Sequence, residues 1–218
     1  MIRAAVLRCA SFLSLIPGAL SAQEAGAFAT TRGTDTVALE QFNRVPGELS
    51  ASLTRMAGAA ARERVHYRAI LLPDASAPLI EVSVWRAEDP EGMPARQTTR
   101  VIFKDDSVAV DEASRWGGAK TLIFPTTRSA IVYLNLSVAL MEQATRRAEA
   151  SPADSMAVPF FNLGGGQTLT GMVSRVGADS AAVRIGTVEF RFKVDRDGRI
   201  LGGVVPSQGL RITRTAGR

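Results

Sequence analysis

The 218-residue chain contains one cysteine, one histidine and three lysines. Cys9 lies within the first 22 residues, so residues 23–218 contain no thiol, and disulfides, thiolate catalysis and cysteine-ligated metal centres are excluded there. A single histidine, His66, excludes a histidine-rich metal site. The lysines are Lys104, Lys120 and Lys193, and the many arginines form no basic run, so we predict no nucleic-acid partner.

Long apolar runs are also missing, except at the start of the chain. Residues 1–8 carry Arg3 and Arg8 without an acidic residue, residues 10–20 are mostly apolar, and small residues follow at Ser21 and Ala22. These are the three parts of a secretory signal peptide. The apolar part is shorter than the ~20 residues that a membrane-spanning helix needs. We therefore predict a signal peptide at residues 1–22, cleavage near Gln23, a periplasmic or secreted location, and no transmembrane span after cleavage.

No catalytic motif is present in the sequence. A serine nucleophile needs a neighbouring base, and His66 is the only histidine available for that role. There is no Gly-x-Ser-x-Gly segment that would expose a nucleophilic serine. The alternation of residues 65–72 places His66 on the face opposite Val65 and Tyr67, at the surface or at the rim of a pocket. We predict no catalytic residue, no metal site and no cofactor, so a hydrolase ranks third among the functions considered.

Two glycine-containing segments resemble ligand loops but are better explained as turns. Asp195-Arg196-Asp197-Gly198 is similar to the start of a calcium loop, yet the twelfth position from Asp195 is Pro206 and not glutamate. A hairpin turn with a positive φ at Gly198 accounts for the same residues. Gly164-Gly165-Gly166 precedes a strand instead of a helix, so it is predicted to be a loop and not a phosphate cradle.

Alternation of apolar and polar residues with a period of two predicts antiparallel strands in two blocks of the chain. Turns are predicted at Gly33-Thr34-Asp35, at Pro46-Gly47 and at Lys104-Asp105-Asp106-Ser107. The predicted strands are residues 36–45, 49–54, 65–72, 79–86, 100–103, 108–111, 169–176, 182–185, 187–194, 199–205 and 210–213. The strongest of them places Val188, Phe190, Phe192 and Val194 on one face.

Between the two blocks the period changes to that of a helix. Ile131, Leu134, Val138 and Met141 are spaced by three or four residues, whereas Glu142, Gln143, Arg146 and Arg147 mark the polar side. Candidate N-caps are Thr126, Thr127 and Ser129, and Ser151-Pro152 ends the pattern. We predict one helix at about residues 129–149. The fold class is mainly β (α+β): a single β-rich domain at residues 23–218, built as a curved antiparallel sheet or incomplete barrel with this one long helix packed on its concave side.

The last thirty residues carry a resemblance. The leader, the hairpins, the single helix and the closing stretch Val194-Asp195-Arg196-Asp197-Gly198-Arg199-Ile200, followed by Val205-Pro206-Ser207-Gln208-Gly209-Leu210, resemble β-rich exported bacterial domains of unknown function. In architecture alone, the chain is similar to periplasmic lipoprotein carriers. That second likeness implies a half-open barrel around a helix, with acyl chains bound inside.

Two function classes rank above the hydrolase. The preferred one is a non-enzymatic binding or carrier module for an apolar, lipid-like ligand. The alternative is a structural or interaction domain of the cell envelope without a small-molecule site, whose partner would be an envelope protein. For the carrier, the predicted ligand-binding residues are Leu134, Val138, Met141, Phe190 and Phe192. Trp85, Trp116, Phe124, Phe160 and Phe161 are further aromatic candidates for the mouth of such a cavity.

Overall fold

The computed structural model describes residues 23–216, so the predicted signal peptide lies outside the described part of the chain. Within it, fifteen strands and one α-helix follow one another along the chain. They are β1 (Glu24–Arg32), β2 (Asp35–Val45), β3 (Glu48–Ala57), β4 (Ala60–Ile70), β5 (Leu79–Arg86), β6 (Gln97–Phe103), β7 (Ser107–Ser114), β8 (Ala119–Pro125), β9 (Ile131–Tyr133), α1 (Val138–Glu149), β10 (Ser155–Asn162), β11 (Gln167–Arg175), β12 (Ser180–Ile185), β13 (Val188–Val194), β14 (Ile200–Val205) and β15 (Leu210–Ala216).

All fifteen strands belong to one sheet. Its order is β8-β7-β6-β5-β4-β3-β2-β1-β15-β14-β13-β12-β11-β10-β9, so β1 and β15, the first and last strands, pair with each other in the middle. Each neighbouring pair is antiparallel except β9 and β10, which are parallel. The predicted mainly β class, with a curved antiparallel sheet and one helix packed on it, is confirmed.

Edge strand β8 contacts the β10–β11 hairpin, which lies near the other end of the curved sheet. The Thr168 hydroxyl on β11 donates a hydrogen bond to Oγ1 of Thr126, just after β8, at 2.7 Å. The Phe124 ring of β8 packs so closely on Gly166 that a Cβ there would lie 2.6 Å from it. Because Gly166 also has a φ of +62°, this contact requires glycine. The sheet therefore approaches a closed barrel without hydrogen-bonded closure between β8 and β9.

The inner face of the sheet carries the apolar core. In β2, for example, Ala38, Glu40 and Phe42 are buried, whereas Leu39 and Gln41 point to solvent. The same alternation holds on most strands and produces a continuous core, as expected for a half-buried antiparallel sheet. Its fully or almost fully buried members include Phe28, Leu49, Leu53, Val65, Ile80, Val101, Val108, Leu140, Phe160, Phe161, Val173, Val183 and Ile200.

The helix begins later than the sequence predicts. Residues 131–133 form the short strand β9, because they pair with residues 160–162 of β10. The chain then turns through Leu136, which has a left-handed φ of 68°, and α1 begins at Val138 with Ser137 as its N-cap. The predicted start at residue 129 and the candidate caps Thr126, Thr127 and Ser129 were therefore wrong. Period alone cannot separate a buried strand and turn from a first helical turn when all are apolar.

Candidate functional site

Four of the five predicted ligand-binding residues meet near the N-terminus of α1. Val138 and Met141 of the helix and Phe190 and Phe192 of β13 line one cavity, which we call the α1 N-terminal cavity. Leu134 is buried nearby but is not among the residues of this lining. The cavity volume is about 20 Å³, which is close to the minimum that accommodates one water molecule. The residues are thus brought together, and their role in ligand binding stays a prediction.

This end of α1 is fastened to the barrel wall by Glu40 of β2. Its Oε1 accepts hydrogen bonds from the hydroxyls of Tyr67 and Ser137, each at 2.7 Å. Its Oε2 accepts from the backbone N–H groups of Val138 and Ala139 at 2.8 and 2.9 Å. Burial raises the pKa of Glu40, although these four donors act in the opposite direction. The carboxylate satisfies amides that the first helical turn leaves without partners.

A second buried carboxylate, Glu142, fastens the middle of α1. Its side chain is fully buried and accepts hydrogen bonds from Arg44 and Arg214 at 2.9 Å and from Arg146 at 2.8 Å. The backbone N–H of Ile200 adds a fourth donor at 2.9 Å. Such a fully engaged carboxylate links three arginines to the helix, so its role is structural.

Glu24 at the start of β1 extends this ion-pair network. It contacts Arg214 at 2.5 Å, Arg146 at 2.8 Å and Arg199 at 3.6 Å. Burial opposes ionisation, but Arg146 and Arg214 outweigh it and lower the pKa of Glu24. Arg44 approaches Glu24 only to 3.8 Å, and its buried Nε has no hydrogen-bond partner among the described residues.

An open pocket lies at the other end of the helix. It is bounded by α1, the β2–β3 turn and the loop between β4 and β5, and its volume is about 740 Å³. We call it the α1 C-terminal pocket. Its apolar walls are formed by Val45, Pro46, Leu71, Leu72, Pro73, Ala75 and Ala150. Its polar lining consists of Arg44, Asp74, Gln143, Arg146, Arg147 and Ser151, together with Gly47. The pocket therefore combines apolar surface with three arginines.

Arg147 differs from the other two arginines because it pairs with no carboxylate within 4 Å in the described part of the chain. Its Nη1 donates to the carbonyl oxygen of Ser129 at 2.6 Å and its Nη2 to that of Ala75 at 3.3 Å. Asp74 lines the same pocket but binds the backbone N–H and the hydroxyl of Ser76. Burial lowers the pKa of Arg147, and the more distant charge of Asp74 opposes this shift.

A third concavity lies where the β5–β6 loop meets the β7–β8 turn. It has a volume of about 430 Å³ and is lined by Glu63, Val84, Trp85, Arg86, Arg96, Gln97, Glu112, Ala113, Ser114, Trp116, Gly118, Ala119 and Lys120. Trp116 is 67% exposed there, and the guanidinium groups of Arg96 and Arg115 each lie 4.8 Å from its ring centre. Two of its thirteen lining residues are tryptophans and five are charged, with both signs of charge present.

The other aromatic candidates are divided between core and surface. Phe160 and Phe161 are buried, and Phe124 is partly buried against Phe161 with ring centres 5.8 Å apart. Trp85 lines the concavity between the β5–β6 loop and the β7–β8 turn. Its indole N–H donates a hydrogen bond to the carbonyl oxygen of Met93 at 2.8 Å. Trp85 and Trp116 thus line a concavity to which α1 contributes no residue, so their role at the mouth of a ligand cavity stays a prediction, whereas Phe160 and Phe161 contribute to core packing.

The segments that were rejected as sites also have the predicted structures. His66 is exposed on the outer face of β4, with its ring 5.0 Å from that of Trp85. Asp195 accepts from the backbone N–H groups of Asp197 and Arg199, and Gly198 has a φ of 72°, as a turn requires. Residues 23–216 contain no group of three acidic, histidine or cysteine side chains able to hold a metal ion. Among the same residues, no helix has the length and apolarity needed to cross a membrane.

Sequence reasoning missed the α1 C-terminal pocket because it treated the charged side of the helix as solvated. Glu142 and Gln143 are in fact buried, and Thr145 of the same stretch donates to the carbonyl oxygen of Gly198 at 2.6 Å. An available signal was the number of arginines in the chain, since a buried glutamate needs such partners. The partners of Glu142 outside α1 are Arg44 of β2, Ile200 of β14 and Arg214 of β15, and these strands lie far from α1 in sequence.

Solved structures with the same architecture are known. The chain is similar to a DUF1089 family protein from Pseudomonas aeruginosa, with a TM-score of 0.54 and 12% identity over 77% of this chain and 89% of the other. It is also similar to a β-barrel-like protein of the domain of unknown function DUF1849 from Brucella abortus, with a TM-score of 0.53 and 11% identity over 90% of this chain and 97% of the other. No protein family and no curated protein matches the chain by sequence.

At these identities the likeness shows the fold alone, which is a β-barrel-like domain. The predicted resemblance to β-rich bacterial domains of unknown function is confirmed.

Proposed function

We propose that this protein is a binding module for an apolar, lipid-like ligand and that the ligand occupies the α1 C-terminal pocket. The observation that carries the proposal is the difference in volume between the two ends of the helix. The pocket measures about 740 Å³ and the α1 N-terminal cavity about 20 Å³. Small-molecule sites usually measure roughly 300–1,000 Å³ and are lined mainly by apolar groups.

The walls of the pocket support this proposal. Residues on two loops, among them Pro46, Leu71 and Pro73, face the last turns of α1 across the open volume. Burying an alkyl chain against such walls contributes about 25 cal/mol for each Å² of apolar surface removed from water. Ligand binding at Leu134, Val138, Met141, Phe190 and Phe192 remains an alternative, which requires the helix to move away from β13.

A neutral fluorescent probe, N-phenyl-1-naphthylamine, tests the proposal directly. The parent protein should increase its fluorescence with a saturable one-to-one titration. Ala150→Trp places an indole in the pocket and should abolish the increase, whereas the matched control Ala178→Trp, in the exposed β11–β12 turn, should not. Absence of binding by the parent, or unchanged binding by Ala150→Trp, would show that the pocket is not the ligand site.

Export is part of the same proposal. The charged, apolar and small-residue segments of residues 1–22 support it. Intact-mass measurement of the protein from the envelope fraction of its host should give a chain that begins at Gln23 or within a few residues of it. A cytoplasmic pool that retains residues 1–20 would contradict export.

The interaction domain remains a second candidate, because two large apolar side chains are exposed near one sheet edge. Ile123 on edge strand β8 is 69% exposed, and Trp116 in the preceding turn is 67% exposed. Exposed edges and aromatic side chains are used in protein association. Cross-linking in the envelope from position 123 should capture one defined protein if this candidate is right, and control position 178 should capture none.

A further inference from the structure

We propose that the ligand carries an anionic group, a carboxylate or a phosphate, and that Arg147 is its main partner in the α1 C-terminal pocket. This inference rests on the proposed function, since it describes the polar end of the same ligand. The pocket then selects its ligand by negative charge as well as by apolar surface. An amphiphile with one anionic head and an alkyl body is the ligand class that results.

The charges that line the pocket are unequal in number. Three arginines, Arg44, Arg146 and Arg147, contribute to the lining, whereas Asp74 is the one acidic side chain in the described lining. The carboxylates of Glu24 and Glu142, which neutralise Arg44 and Arg146, do not belong to it. A ligand in the pocket is therefore closer to the cations than to the buried anions that balance them.

Arg147 has donors to spare. A guanidinium has five N–H donors, and Arg147 makes two hydrogen bonds to carbonyl oxygens, of Ser129 and Ala75. Carbonyl oxygens carry no full charge, and Asp74 acts on Arg147 only from beyond 4 Å, so no carboxylate of the described residues is hydrogen-bonded to this guanidinium. The fork geometry of a guanidinium matches carboxylate and phosphate oxygens, which makes such an anion the best-fitting partner.

Arg146 lies one position before Arg147 and also lines the pocket. Its Nε and Nη2 donate to Glu142, and Nη2 also donates to Glu24, whereas its Nη1 makes no hydrogen bond within residues 23–216. The buried Nε of Arg44 is likewise without a partner there. Of these two donors, Arg146 Nη1 is the one that is not among the buried unpartnered atoms, so an incoming anion can reach it and form a charge-assisted hydrogen bond there.

Two nearby groups oppose an anion. The C-terminus of α1 carries a partial charge equivalent to about −0.5, and Asp74 adds a full negative charge. The helix effect is smaller than one unit charge, and one oxygen of Asp74 is engaged by Ser76. Because Arg147 alone outweighs the helix terminus, Asp74 is the group that limits the affinity for anions.

Calorimetric titration with a series of alkyl probes of equal length tests the inference. The probes are dodecanoate, dodecyl phosphate, dodecanol and dodecyltrimethylammonium at pH 7.5, the three ionic ones below their micelle concentrations and dodecanol below its solubility. We expect at least one of the two anions to bind roughly tenfold or more tightly than dodecanol, as a charge-assisted hydrogen bond allows. The order of the two anions distinguishes a carboxylate ligand from a phosphate ligand. Inorganic phosphate without an alkyl chain should bind much more weakly than dodecyl phosphate.

Two variants should change the anion preference in opposite directions. Arg147→Gln should weaken anion binding by roughly tenfold, and Asp74→Asn should strengthen it, while the affinity for dodecanol stays constant in both. Arg184→Gln, which removes an exposed arginine paired with Glu189, is the matched control and should change nothing. Asp74→Asn keeps the test valid if Arg147→Gln fails to fold.

The outcomes separate this inference from the proposed function. Equal affinity for dodecanol and both anions, unchanged by Asp74→Asn, would overturn the anion preference and leave the apolar site intact. Tighter binding of the ammonium probe would overturn the anion preference in the same way. Failure of every alkyl probe to bind, or inorganic phosphate binding as tightly as dodecyl phosphate, would overturn the proposed function as well.

Discussion

The two ends of α1 differ in the partners of their buried carboxylates and in the space left beside the helix. At the N-terminus, Glu40 meets only neutral donors, and the surrounding side chains leave about 20 Å³ of space. Toward the C-terminus, Glu142 meets three arginines, and beyond them the helix and the loops enclose about 740 Å³. The apolar face of the helix therefore forms core, whereas its charged end, next to the loops, is where a ligand has room.

The largest expected effect comes from the two buried carboxylates. Glu142→Gln leaves three largely buried arginines facing a neutral amide, so we expect the free energy of unfolding to fall by about 3–5 kcal/mol. Glu40→Gln leaves no unpaired charge, and we expect a smaller loss of about 1–3 kcal/mol. Urea unfolding followed by circular dichroism measures both. Equal losses would contradict the distinction between a neutral and a charged environment.

Tryptophan substitution should distinguish the packed end from the open end. Val138→Trp overpacks the α1 N-terminal cavity, and we expect it to lower the free energy of unfolding by about 1–3 kcal/mol or more while probe binding is retained. Ala150→Trp enters open space and should change the free energy of unfolding by less than about 0.5 kcal/mol while probe binding is lost. Thermal unfolding and probe titration on the same samples check this.

The reverse pattern would contradict our account of the two ends. If Val138→Trp abolished probe binding at little cost to stability, the ligand would lie at Leu134, Val138, Met141, Phe190 and Phe192, as the sequence alone predicts.

Replacing one serine at each end of α1 by alanine compares the two helix ends with a smaller change. Ser137 caps the helix through the N–H of Leu140 and also donates to Glu40, so Ser137→Ala should cost about 1 kcal/mol or somewhat more. Ser151 lies just after the helix, and its hydroxyl accepts only from the N–H of Ala153 at 3.2 Å. Ser151→Ala should therefore change stability by less than about 0.5 kcal/mol. Similar costs at the two positions would show that the helix ends are equally constrained.

Glu24 and Glu40 should contribute to the pH dependence of stability in opposite directions. The pKa of Glu24 is lowered in the folded state, so its stabilisation is present above about pH 4.5 and is lost as the pH falls. The pKa of Glu40 is raised by burial, so stability is lost as the pH rises from about 4.5 through the folded-state pKa.

Two variants separate these contributions. The stability of Glu24→Gln should approach that of the parent as the pH falls below 4.5, whereas Glu40→Gln should gain stability relative to the parent as the pH rises above 4.5. Unfolding measured at several pH values checks both trends. The same trend in both variants would contradict the assignment of opposite pKa shifts.

The sequence predicts the strands best where apolar and polar residues alternate without interruption. Strands β2 to β7 and β11 to β15 were predicted with errors of up to five residues at their ends, the largest at the start of β4. The strands β1, β8 and β10 were not predicted, and β9 was predicted as part of the helix; β1 is rich in small residues and β10 contains Pro159. The pairings of β1 with β15 and of β10 with β9 are also ones that alternation along the chain does not suggest.

Of the two ends of α1, the sequence predicted only residues of the apolar N-terminal end. The periodicity of α1 identifies Val138 and Met141 as inward-facing, but it cannot show that Phe190 and Phe192 fill the space beside them. Arg44 and Arg147 are about 100 residues apart along the chain, so their proximity depends on how the helix sits on β2. Local spacing indicates the Glu142–Arg146 pair, four residues apart on α1, but not the pairs of Glu142 with Arg44 and Arg214, which are tertiary contacts.

The most direct test of our central claim is an NMR titration of the ¹⁵N-labelled protein with N-phenyl-1-naphthylamine. Ring-current shifts should be largest at the backbone amides of Ala75, Arg147 and Ala150, and small at Val138 and Phe192. That result would place the ligand in the α1 C-terminal pocket. Large shifts at Val138 and Phe192, with none at Arg147 or Ala150, would contradict it.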